Sequence, residues 1–225
     1  MPVNSAHHLL NNPELTENTI QALNNLRNPE MFKWHSIPIF LIVLYIYINE
    51  WSKNNKSVVI AGLAFWTMDL FNEIWNSIAL HFTKTAPVWG TPGNDSAFIL
   101  LPGLNIEISL MFAVFGICAV KLLPKDKKKK ILGINNRIFM AFFGSASAVI
   151  IEILLNLSGA LTWELKYWNI KFPYLIFLAG YLPFFLVAYF VYDMDNIKKQ
   201  ILTLGVLLGF DCILIFIFGF ILKWL

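Results

Sequence analysis

The stretch Trp66–Thr83, WTMDLFNEIWNSIALHFT, is apolar enough to lie within a bilayer, yet it carries Asp69, Asn72, Glu73, Asn76 and His81. Spacings of three and four residues put Asp69, Asn72, Glu73 and Asn76 on one face of a helix, with His81 a turn or so beyond. A carboxylate at the centre of a membrane helix costs roughly 2.5–3.5 kcal/mol on insertion scales. Two acids and two amides on one such face therefore read as a site. A carboxyl group buried without a cationic partner tends to keep its proton. One or more of these acids is thus expected to be neutral and able to donate a proton. Few basic residues lie nearby, and His81 is the nearest candidate.

Three further acids, Glu107, Glu152 and Asp211, interrupt other apolar stretches. At about 1.5 Å per helical residue, Glu73 lies roughly 13 Å below the end of its segment, Glu152 roughly 9 Å and Glu107 roughly 6 Å. Asp69 and Asp211 fall nearer the midplane of a core about 30 Å thick. The expected site is a polar pocket in one half of the bundle, lined by Glu73, Glu107, Glu152 and Asp211. Glu73 and Glu107 lead as proton donor or base, followed by Asp211 and Glu152. Asp69, Asn72, Asn76 and Asn105 would bind and orient, and Trp66, Trp75 and Trp89 would line the apolar part. In the competing reading each acid is hydrogen-bonded glue between helices. Glue needs no shared depth, so the common level favours the pocket.

The elements that must hold these groups are membrane helices. Of 225 residues 57% are hydrophobic and only 14% charged, where a soluble domain carries roughly 25% charge. Apolar runs near the length of a bilayer span are expected at about 31–50, 57–82, 103–123, 137–158, 173–192 and 199–222. The fold class is therefore all-α, a polytopic bundle of about six transmembrane helices. Asn12-Pro13-Glu14 reads as a helix start, so 13–26 is expected to form a short interfacial helix. Asn28-Pro29-Glu30 is expected to open the first span, bent at Pro38. Residues 1–30 make a polar and interfacial segment, and 31–225 a single transmembrane domain. The connector 83–101, with Pro87, Gly90, Pro92 and Gly93, suits a lid or re-entrant loop. LTWELKYWNIKFP suits the headgroup layer. Gly205-x-x-x-Gly209 and Gly144-x-x-x-Ala148 are expected to permit close helix packing.

Eleven of the seventeen basic residues fall on one face, seven of them in the 121–137 connector. The positive-inside rule makes that lysine-rich loop cytoplasmic and puts both termini on the opposite side. A net charge of +3 arising largely from this run gives no reason to expect nucleic acid as a partner.

Several chemistries lack their motifs. There is no HxxxH set for a histidine-box oxidase, no DDxxD run for a magnesium-bound diphosphate, no phosphate-cradling glycine loop and no nucleophile elbow. No metal or organic cofactor is expected, although oxygen-rich sites are the kind that take Mg²⁺ or Ca²⁺.

At Asn72-Glu73-Ile74-Trp75 the chain resembles the small integral-membrane terpene cyclases of fungal meroterpenoid pathways, which carry N-x-x-W with an adjacent Glu and an Asp in the last span. Asn72 and Trp75 match, Glu73 is the acid, and Asp211 corresponds in placement to the last-span Asp. The stretch VWGTPGNDSAFILLPGLNIEISLMF is similar to the W…P-x-E-E-x-x-F-F pattern of membrane lycopene cyclases, with Trp89, Pro102, Glu107 and Phe112 as counterparts. Here Pro102 lies five residues before Glu107, and Ile108 replaces the second acid. Both resemblances imply protonation of an isoprenoid alkene or epoxide by a membrane-buried carboxylic acid. The sequence thus points to a membrane enzyme acting on a lipophilic, isoprenoid substrate, with membrane lipids around it. A proton- or cation-coupled transporter, a non-catalytic assembly subunit and a homo-oligomeric arrangement are the alternatives.

Overall fold

A computed structural model describes residues 5–93 and 98–225 of the chain. Seven helices order the described residues: α1 (Glu17–Asn25), α2 (Ser36–Ser52), α3 (Lys56–Thr83), α4 (Ile106–Lys121), α5 (Asn136–Leu157), α6 (Pro173–Asp193) and α7 (Ile197–Ile221). Two small antiparallel hairpins join them, β1 (Ile99–Leu101) with β2 (Leu104–Asn105), and β3 (Lys130–Ile131) with β4 (Ile134–Asn135). Helices α3, α5, α6 and α7 are long and apolar enough to cross a membrane. Helix α2 is a shorter apolar helix, and α4 is apolar between Glu107 and Lys121. The chain is an all-α, polytopic membrane bundle of six such helices, with α1 laid across one end.

Polar residues set the helix ends. The side chains of Asn105, Asn135 and Asn196 accept hydrogen bonds from Ile108 N, Arg137 N and Lys198 N, satisfying amides that have no partner inside the helix. The Asn-Pro-Glu signatures behave differently from expectation. Asn12 makes an Asx turn to Glu14 N, and α1 starts after Thr16, whose hydroxyl caps Thr19 N. Asn28 opens only a three-residue 3₁₀ turn, and α2 begins at Ser36. Pro38 consequently falls in the first turn of α2, where its missing N–H costs no helix bond.

Helix α3 is the axis of the bundle, packed against α4, α6 and α7. Phe65 sits fully buried at its middle, ringed by Phe112, Phe115, Phe184 and Phe185 at centroid distances of 5.0–6.3 Å. Such pairs add about 0.5–1.5 kcal/mol each beyond area burial. Below this aromatic plug α3 and α4 touch backbone to backbone. A Cβ on Gly116 would lie 2.5 Å from the Gly62 carbonyl oxygen. Gly144 likewise lies under the Phe185 ring, but Gly205 and Gly209 have open space where a Cβ would be, so the glycine pair on α7 makes no close contact among the described residues.

The two ends of the bundle differ. At one, Arg137 makes a bidentate pair with Asp193 at 2.8 Å on both arms, and buried Glu50 bonds Lys121 and Asn55. At the other, three peptide segments form a cap. The loop after α3 and the loop after α5 bond reciprocally through Gly90 and Thr162, at 3.0 and 2.8 Å. Helix α1 joins them through Thr16 and Asn18, which bond Glu164, and through Leu23 and Leu26, which pack on Leu80 and Ile99. Leu9, which packs with α1, and Leu225, which packs against Ile74 and Leu104, both lie at this capped end.

Gly116→Ala is expected to lower stability by about 1–3 kcal/mol, because the added carbon must push two backbones apart. Gly205→Ala should lower nothing. Thermal unfolding of the two variants in one detergent checks the contrast.

Candidate functional site

The stripe on α3 faces a small cavity immediately under the cap. Asp69, Glu73 and Glu152 line it and are each 5% exposed or less. Its volume is about 40 Å³, room for two or three water-sized groups. Asn72, Trp89, Trp168, Tyr181, Phe112 and Gly103 complete most of the wall. Among the described residues neither Lys, Arg nor His lines it.

With none of these lining it, indoles serve the acids. Trp89 Nε1 donates to Glu73 Oε1 at 2.8 Å, and Trp163 Nε1 donates to Glu152 Oε1 at 3.1 Å. Tyr181 lines the cavity beside Glu152. These donors are not enough. Glu73 Oε2 and Asp69 Oδ2 are buried with no hydrogen-bond partner, and so is the Trp168 indole N–H. Leaving such groups unmade costs roughly 1–3 kcal/mol each, and persistent examples in a folded protein call for a functional explanation.

Local sequence explains the placement. Pro183 has no N–H to offer the carbonyl four residues back, and its ring crowds that turn. The backbone over Ile176–Tyr181 opens into a π-helical stretch, with Leu182 N bonding Phe177 O. Asn72 Nδ2 fills the gap, donating to Gly180 O at 3.2 Å and to Ala179 O at 3.5 Å. That wide turn carries Tyr181 to Glu152. Asn76 ties the cap down: its oxygen accepts from Val88 N at 2.7 Å and Trp89 N at 3.3 Å, and its amide donates to Trp89 O at 2.7 Å. Gly103, in the turn between β1 and β2, presses its bare Cα onto the site. A Cβ there would meet Asn76 Nδ2 at 2.3 Å and Glu73 Oε2 at 2.6 Å.

The structure divides the residues expected at this site. Asp69, Asn72, Glu73, Glu152 and Trp89 come together, with Asn76 directly behind Trp89. Glu107 does not join them. It pairs with His35 Nε2 at 2.7 Å in a separate vestibule of about 460 Å³ at the capped end. Asp211 does not join them either: it opens on a cleft with Thr67 and Phe71. Asn105 is a helix cap lining the vestibule. Trp66 bonds Ser109 inside the bundle, and Trp75 is half exposed beside Trp89. His81 stacks on Trp224 with centroids 4.0 Å apart, away from the acids. Sequence reasoning missed Tyr181, Trp163 and Trp168. The first was read as span, the others as headgroup-layer residues, and the Pro183 interruption was the available signal for Tyr181.

An apolar cleft of about 420 Å³ between α4 and α5 reaches the same residues. Met111, Phe115, Ile151 and Leu155 line it, and it ends on Phe112, Glu152 and Tyr181, which also line the acid cavity. Phe112 and Tyr181 are stacked, 6.2 Å apart and 8° from parallel, at this junction. On the capped side, Ile108 and Leu161 are shared between the cavity and the His35–Glu107 vestibule.

A six-helix bundle with uncompensated acids under a peptide cap defines an integral membrane protein of the polytopic helical class. The chain belongs to an uncharacterized membrane protein family, whose profile matches residues 16–220. An uncharacterized protein of Archaeoglobus fulgidus is 51% identical over 210 residues, covering 93% of this chain and 99% of its own. A second uncharacterized protein from that organism is 57% identical over 53 residues, 24% of this chain and 95% of its own. No solved structure matches the chain.

Asn76→Ala is expected to loosen the cap, since it leaves buried Val88 and Trp89 backbone groups unpaired at roughly 1–3 kcal/mol for each. Limited proteolysis should then cut within residues 84–105 well before it cuts wild type.

Proposed function

We propose that this protein is a membrane enzyme in which Glu73 and Glu152 perform acid–base chemistry on a lipid-soluble substrate. The observation that carries the reading is the pairing of a lipid-scale apolar cleft with a water-sized acid cavity through Glu152, Tyr181 and Phe112. The substrate chain would lie between α4 and α5 and present its reacting end to the acids. Glu73 is the leading donor, because Trp89 fixes one oxygen and leaves the other unpaired toward the cavity. Trp89, Trp163 and Tyr181 would hold whichever carboxylate is left when a proton is given up. Asp69, one turn below Glu73, stands ready to share or return that proton.

An isoprenoid chain is the substrate class the resemblance around Asn72 and Trp75 implies, and the narrow apolar cleft suits it. Terpene cyclase-like protonation of an alkene or epoxide is the reaction a lone buried carboxylic acid can begin. The lysine-bearing end is proposed to be cytoplasmic and the capped end to lie on the opposite side. A transporter reading gains less support, because the plug around Phe65 fills the bundle between the acids and the lysine-bearing end.

Glu73→Gln should reduce turnover of an isoprenoid lipid extract at least about a hundredfold, the ordinary contribution of a general acid, while the protein inserts and melts as wild type does. Full activity in Glu73→Gln, or substrate-independent proton flux through proteoliposomes abolished by it, would speak against the enzyme reading. Mass-spectrometric turnover and a flux assay on the same preparation separate these outcomes.

A further inference from the structure

We infer that the cavity reads one small, uncharged oxygen function at the end of the lipid, a hydroxyl or carbonyl, and that Trp168 is the residue that recognises it. This inference rests on the proposed lipid substrate and names its polar end.

Size is the first argument. The acid cavity of about 40 Å³ takes a single hydroxyl or carbonyl with a water beside it. It has no room for a phosphate or a larger headgroup. Charge is the second. Asp69, Glu73 and Glu152 line the space and among the described residues no cationic side chain does, so an anionic head would meet three acids with no cation to offset them. Among cationic heads, the volume excludes a substituted ammonium.

Hydrogen bonding is the third. Trp168 is 8% exposed, lines the cavity, and its indole N–H has no acceptor. An indole N–H can only donate, so what completes it is an acceptor oxygen. The ring is held at 5.5 Å from Trp89, within the apolar cluster that includes Val149 and Ile176. Glu73 Oε2 and Asp69 Oδ2, the other two unpaired atoms, can take the hydroxyl hydrogen or, when protonated, donate to a carbonyl. A neutral oxygen group can accept from the Trp168 N–H and, as a hydroxyl, donate to one of the acids. Sites built to hydrogen-bond such a group discriminate strongly against analogues that lack it.

The test measures binding in nanodiscs with three probes sharing one chain: farnesol, farnesyl phosphate and farnesene. Wild type should bind farnesol at least about tenfold more tightly than either of the others, the worth of one or two good hydrogen bonds. Trp168→Phe should weaken farnesol about tenfold and leave farnesene unchanged. Equal affinity for alcohol and phosphate, failure to bind farnesol, or an equal loss of farnesol and farnesene in Trp168→Phe would overturn the inference. The readout is affinity, so it separates from the enzyme reading. Farnesol selectivity with fully active Glu73→Gln would sink the acid–base role and keep the recognition, and the reverse pattern would do the opposite.

Discussion

The structure depends on one constraint: three carboxyl groups share a cavity inside a membrane bundle, and among the described residues no cation lines it. Such groups are tolerable only if fixed protein dipoles replace the water they have lost. Here those dipoles are the indoles of Trp89 and Trp163, with the Tyr181 side chain beside Glu152 in the cavity wall. Each donor is bulky, flat and largely apolar. One side chain therefore both serves an acid and walls the cavity against lipid.

Positioning those donors accounts for the irregular parts of the chain. Trp89 and Trp163 come from two loops that would be free connectors in an ordinary bundle. They are stitched together at Gly90 and Thr162 and pinned to α3 by Asn76. Tyr181 needs a widened helical turn, which Pro183 opens and Asn72 stabilises. Gly103 lets a third backbone close over Glu73. The same pieces that satisfy the acids cover them, while the cleft between α4 and α5 leaves an apolar approach.

The bundle itself was legible because hydrophobic length and helical period are local properties. The Asp69–Asn76 stripe was legible for the same reason. What failed was the step from depth to contact. Asp211 shares a level with Asp69 but faces Thr67, two residues and about 200° round α3 at 3.6 residues per turn. Trp75 is offset from Glu73 by the same two residues and ends half exposed beside Trp89. Glu107, in the first turn of α4, meets His35 ahead of α2 and never turns inward. Depth can be counted along one segment, whereas azimuth depends on how helices rotate against one another, and that is fixed by contacts such as Gly62 on Gly116. Trp168 was invisible for a related reason, since nothing near it in sequence announces the acids that share its cavity, and Pro183 was the one local signal for Tyr181. The terpene cyclase resemblance picked out Asn72, whose amide braces the π-helical turn, and Trp89, which serves Glu73. It also picked out Asp211 and Glu107, which lie outside the cavity.

The central claim is that Glu73 and Glu152 share one hollow reached from the lipid through the cleft between α4 and α5. Labelling with a lipid-soluble carbodiimide, which reacts with protonated carboxyl groups, followed by peptide mapping, tests it most directly. The account predicts adducts at Glu152 and Glu73 that fall sharply when bulky side chains are placed at the cleft mouth, as in Met111→Trp with Ile151→Trp, while any adduct at Asp211 is untouched. Labelling of Glu152 that is indifferent to the blocked cleft, or that comes equally well from a water-soluble carbodiimide, would contradict it.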